Sequence, residues 1–175
     1  MNGRIVGISL VVAGAVAGIA MYYLQVHAFY EDVTADIEDI QLTTLAGGRP
    51  EPILSENVNA IDAASSPLRF RACFETPMSQ PMLTETYVLY DEAVPLNAPE
   101  WFDCFDAAAI GAALEEGTAL AYLGTENITY GIDRIVAITD DGRGFAWHQI
   151  NFCGEEVFDG RSAPEGCPDP DERTN

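Results

Sequence analysis

The sequence contains no lysine: all eight of its basic residues are arginines. No charged residue occurs between Ile5 and Tyr30. No CxxC pair is present, which removes a thioredoxin-like redox motif or a zinc knuckle. No GxSxG elbow, phosphate-cradling glycine loop or EF-hand spacing appears. Beyond residue 30 there is a single histidine, His148, next to Trp147. A Ser–His–acid triad or a metal site built on it would need partners gathered from unrelated parts of the chain. No catalytic, cofactor-binding or metal-ligating residue is nominated. The expectation is a non-enzymatic protein without a cofactor, with His148 a hydrogen-bonded structural residue on a strand.

Positive charge is scarce where negative charge is abundant. All 28 acids lie after residue 30, against seven arginines there, so that part carries 7 − 28 = −21. Such a field repels nucleic acid and anionic lipid and favours solubility or a basic partner.

What the first thirty residues do have is apolarity. Ile5 to Tyr23 as a helix spans about 27 Å at ~1.5 Å per residue, close to a ~30 Å hydrocarbon core. Tyr22 and Tyr23 then fall at the interface, with Phe29 and Tyr30 just beyond. Arg4 and the terminal amine precede the run, which orients residues 1–4 to the cytoplasm and the rest to the far side. A cleaved signal peptide, cut after Ala20 or Ala28, has the same orientation. The length of the run and the single Arg before it favour an uncleaved anchor over residues 5–30. Gly3, Gly7, Gly14 and Gly18 fall within about 60° of arc on such a helix, and Gln25 continues the stripe. Two small-xxx-small pairs on one face suit packing against another membrane helix.

Residues 31–160 read as one α+β domain, mostly antiparallel sheet with one main packed helix, and residues 161–175 as an acidic, Pro-rich tail, disordered after Cys167. Val26, Tyr30, Val33 and Ile37 repeat at helical spacing and predict a short stalk. Ile40–Thr44 alternates as a strand, Gly47-Gly48 turns, and Ile53-Leu54 is the return, with Pro50 and Pro52 holding it irregular or at an edge. Leu68 to Phe74 reads as a strand with Arg69 and Arg71 on one face. That face is a candidate anion site, or pairs with some of the many acids. Thr86 to Tyr90 is β-rich in composition. An alanine-rich helix runs from Phe105 to Glu116 and ends at Gly117, with Asn97 to Glu100 or Asp103 at its start. Ala119 to Leu123 is a short strand. Ile132 to Thr139 is apolar on both parities, as in a strand buried on both faces. Asp140 to Gly144 is a hairpin turn into Phe145 to Phe152.

Cys73, Cys104, Cys153 and Cys167 all fall on the exported side and allow two disulfides in three connectivities. Cys153–Cys167 closes a short loop that pins the tail, leaving Cys73 with Cys104; this pairing is favoured. Asn127-Ile128-Thr129 has the glycosylation pattern, which carries meaning in a eukaryotic secretory pathway.

Several stretches carry a likeness: the Met-Asn-Gly-Arg start, Met21 to Val26, Ser65 to Phe74, Trp101 to Ala107 and Asp141 to Gln149. With these the chain resembles an uncharacterised family of short, single-span, membrane-anchored bacterial proteins. The resemblance implies a bacterial inner membrane with the domain in the periplasm, discounts the sequon, and brings no activity or site residues. The function expected is an accessory or assembly subunit of an inner-membrane complex, with the acidic domain recruiting a basic periplasmic partner. The alternative is a ligand-binding or sensing module that uses Arg69 and Arg71 and acts through a partner protein.

Overall fold

The computed structural model describes residues 3–24, 27, 29–36 and 40–170. Helix α1 (Gly3–Tyr23) has a mean hydropathy of 2.2 in its most apolar window and is exposed throughout, so it is long and apolar enough to cross a membrane. The stalk does not form as expected. Glu31–Asp32 is a short strand, β1, antiparallel to Asp62 and Ile61, and Thr34–Asp36 is a 3-10 turn. The Val33 amide bonds the Ala60 carbonyl and the side chain packs on the core, so pairing with the sheet overrides the helical spacing. Val26 and Ile37 lie outside the described residues, as does the tail beyond 170.

The domain is α+β. A six-stranded antiparallel sheet runs in the order β1-β4-β5-β8-β7-β6, with β4 Glu56–Asp62, β5 Arg71–Glu75, β6 Ala119–Thr129, β7 Ile132–Thr139 and β8 Arg143–Ile150. Registration explains the two-sided apolarity of β7. Ala60, Ala72, Ala146, Val136 and Tyr122 align across five strands on one face. Ile61, Arg71, Trp147, Ile135 and Leu123 align on the other. The first face is covered by Ile40, Leu42 and Ile53 of a separate hairpin, β2 (Gln41–Thr43) with β3 (Pro50–Pro52), and by Leu83 of α2 (Gln80–Thr86). The second is covered by Phe102, Phe105 and Ile110, the last in α3 (Ala107–Glu116). Three alanines in the first row leave room for the covering layer to approach, while Trp147 is fully buried beneath the second.

Several boundaries differ from the sequence expectation. The return strand is Pro50–Pro52 and not Ile53-Leu54, although the Ile53 amide still bonds the Ile40 carbonyl. Pro50 lacks an amide donor, and the hairpin lies outside the main sheet, where that is tolerated. Thr86 ends α2, and only Tyr87 and Leu89 make isolated bridges, to Thr44 and Tyr122. The strand predicted from Leu68 starts at Arg71, the one predicted to end at Leu123 runs to Thr129, and Phe152 begins α4 (Phe152–Phe158). Asp106, rather than Asp103 or Asn97, caps α3 by accepting from the Ala108 and Ala109 amides. Gly117 closes that helix at φ 74°, a left-handed position that suits glycine. The disulfides join Cys73 to Cys104, tying β5 to the approach to α3, and Cys153 to Cys167, tying α4 to the tail.

Candidate functional site

His148 sits on β8 in register with Arg134 of β7 and is 6% exposed. Arg134 Nε donates to His148 Nε2 at 3.1 Å. Guanidinium has no lone pair to offer, so Nε2 is the bare nitrogen and Nδ1 carries the proton. That proton is donated to the Pro67 carbonyl at 2.6 Å. The ring stacks on Phe70 at 4.7 Å, and Arg134 also lies 4.1 Å from the Phe70 centroid. Burial first, then the charge of Arg134, pushes the His148 pKa down to about 4, against the opposing hydrogen bond to Pro67. With both nitrogens committed, the imidazole is a neutral clamp holding the 67–70 segment to the sheet.

Arg71 opens β5, whereas Arg69 precedes the strand. Arg71 is 3% exposed and, among the described residues, bonds only backbone: Nε to the Leu96 carbonyl, Nη1 to those of Leu68 and Phe70, and Nη2 to that of Asn97. The acids expected as its partners are thus replaced by carbonyl oxygens, whose dipoles lace the 96–97 loop to the start of β5. Burial lowers its pKa to about 10, which leaves it charged.

Arg69 instead faces a pocket of about 440 Å³ with Tyr22, Tyr30, Asn97, Ala98, Pro99 and Glu100. Its guanidinium lies 5.4 Å from the Tyr30 centroid. Around this pocket the end of α1 meets the domain through rings. His27 stacks between Tyr23 at 5.7 Å and Trp101 at 6.1 Å, and Trp101 meets Tyr30 edge-on at 6.0 Å. Sequence reasoning placed the tyrosines at the interface and passed over Trp101. The signal was there, an exposed-type loop, Ala98-Pro99-Glu100, running straight into Trp101-Phe102.

A second pocket, about 350 Å³, is acidic. Asp91, Glu92, Glu126 and Asp133 line it with Tyr90 and Asn151. Asp133 is buried and accepts from the Asn127 amide and from Asn151 Nδ2. Burial, aided by the charges of Asp133 and Glu92, pushes the Tyr90 hydroxyl up to about 12. Among the described residues no three His, Cys, Asp or Glu side chains converge as metal ligands. Asn127, the sequon residue, accepts from the Gly131 amide and Asn151 through its side-chain oxygen, which fixes the β6–β7 turn.

Gly3, Gly7, Gly14 and Gly18 all lie on α1, and a Cβ built at any of them would meet nothing within 4 Å. Gln25 lies outside the described residues.

No curated protein and no solved structure matches the chain. Residues 40–168 match the model of a family of unknown function (DUF6446), a span that takes in every element from β2 to α4 and both disulfides and leaves α1 outside. The chain therefore belongs to the family of unknown function DUF6446.

Proposed function

We propose that this protein is a non-enzymatic accessory or assembly subunit of a bacterial inner-membrane complex. In this reading α1 stays as a single-pass signal anchor with its N-terminus in the cytoplasm. The disulfide-bonded domain stands in the periplasm, and its acidic surface recruits a basic partner. The glycine face of α1 packs against another membrane helix.

The observation that carries the reading is how little of the acidity is neutralised within the fold. Ion pairs among the described residues join Arg143 to Asp141 and Arg161 to Glu156 and Asp159, all at the surface. Arg71 and Arg134 turn to carbonyls, an imidazole and a ring, so the −21 field projects outward. Such a field raises the encounter rate with a basic protein and is screened by salt.

The test is gentle detergent purification of the tagged full chain beside a form lacking residues 1–30. The anchored form should retain a basic periplasmic protein, and its association rate should fall steeply as salt rises. Equal rates at low and high salt would remove the recruiting role, and equal retention by the truncated form would remove the role of the anchor.

A further inference from the structure

We propose that the Trp101 face of the domain docks on the bilayer surface, with Trp101 seated among zwitterionic phospholipid headgroups and Arg69 on a lipid phosphate. The proposal rests on the reading of α1 as a membrane anchor and says which side of the domain lies down on the membrane.

Reach comes first. Only residues 24–30 separate the end of α1 from β1, and at ~3.5 Å per residue they hold the domain within about 25 Å of the point where the helix leaves the hydrocarbon. The rings then set the orientation. Tyr22 and Tyr23 close the apolar helix, and the ring contacts pass without a break from Tyr23 through His27 to Trp101 and Tyr30. Trp101 and Phe29 are 38% and 47% exposed, so the domain continues an aromatic belt that begins in the candidate span. Tryptophan and tyrosine favour this depth because an apolar body and a polar tip are both accommodated there.

Chemistry narrows the lipid. Arg69 and Glu100 line one pocket together with Tyr22 and Tyr30, a cation for a phosphate and a carboxylate for an amine. An anionic surface would meet the −21 field of the domain and be repelled. A headgroup bearing both charges fits each side chain and escapes that repulsion.

The chain has two tryptophans, Trp101 and the fully buried Trp147, and α1 has neither. The full chain is reconstituted in phosphatidylethanolamine and phosphatidylcholine vesicles with acyl chains brominated near the glycerol, and emission is compared with unlabelled vesicles. The Trp101 share of the emission should be lost to the shallow label, and Trp101→Phe should abolish that loss. Arg69→Gln should diminish it, as should partial replacement by phosphatidylglycerol. Flotation reports on the anchor separately. A chain that floats with the vesicles but shows no quenching keeps its anchor and overturns the docking. Quenching that increases with phosphatidylglycerol overturns the zwitterionic assignment. A chain that does not float overturns both the anchor and the docking.

Discussion

At the residue scale, the buried Arg71, Arg134 and His148 are held by carbonyls, by one another and by Phe70, while buried Asp133 is held by the Asn127 and Asn151 amides. His148 shows how this ties stability to pH. Its pKa is about 4 in the fold, against an ordinary value near 6.5 in the unfolded chain. Above pH 6.5 both states are neutral and the residue adds no pH dependence. As pH falls from 6.5 to 4 the unfolded chain takes up the proton first, so the fold loses stability, by on the order of 2–3 kcal/mol once the window is crossed. Carboxylates titrate in the lower part of this range too, so the readout is a difference between variants. His148→Gln keeps an acceptor for Arg134 and a donor for Pro67 and has no proton to gain. It should begin less stable, by about 1–2 kcal/mol from the lost Phe70 stacking, and then decline less than the wild type between pH 6.5 and 4. Thermal unfolding at several pH values reads this directly, and parallel profiles for the two proteins would mean that His148 is not the sensitive group.

At the element scale, the tail is fastened to α4 by Cys153–Cys167, a loop closed over 14 residues. The Asn151 side chain caps the same helix by accepting from the Gly154 amide, and also bonds Asp133. Replacing both cysteines by serine should lower stability by about 2–3 kcal/mol, since a short loop of unfolded chain is released. Hydrogen exchange should rise over α4 and the tail, while β5, tied by the other disulfide to the approach to α3, keeps its protection against β8. Exchange rising across the whole sheet would instead make this bridge a part of the global core.

The same elements mark what could be read from the sequence. Strand β7 was legible because two-sided apolarity over eight residues has one common cause, a position between two covering layers. Helix α3 was legible from its alanines and Gly117, while its cap was misplaced by three residues among several acids able to serve. Strand β4 was missed: Asn57 is at φ 52°, and the register shifts between Glu56 and Asn59, so the alternation that would have exposed it is broken. Helix α2 hid behind threonines that look like strand formers. Thr84 and Thr86 bond back to the Gln80 and Met82 carbonyls, and Gln80 reaches the distant Thr118 and Ile138 carbonyls, so long-range contacts decide the segment. The candidate site suffered most, because Arg71 meeting Leu96 and Asn97, and Trp101 meeting His27, depend on approaches that no local spacing encodes.

For the whole molecule, one quantity should pull folding and association in opposite directions. The domain's −21 charge repels itself in the compact state more than in an expanded chain, so the fold carries an electrostatic penalty that salt relieves. The Debye length falls from ~30 Å at 0.01 M salt to ~10 Å at 0.1 M, from longer than a small domain's radius to shorter than it. Attraction works the other way at Arg143–Asp141 and Arg161–Glu156, which screening weakens. Exposed pairs of this kind contribute at most about 1 kcal/mol each and are few among the described residues, whereas the repulsion runs over all the acids. Stability should therefore rise as sodium chloride goes from 10 to 150 mM, while capture of a basic partner slows. The measurement is thermal unfolding of the full chain in a non-ionic detergent, followed through the emission of the buried Trp147 in the Trp101→Phe variant. Chloride is preferred to sulfate because sulfate strengthens apolar burial in any protein and would give the same sign for another reason. A Tm that falls with chloride would show that local ion pairs outweigh the net charge. The recruiting field would then be weaker than the formal charge implies, and the accessory role would have to rest on α1 and its glycine face.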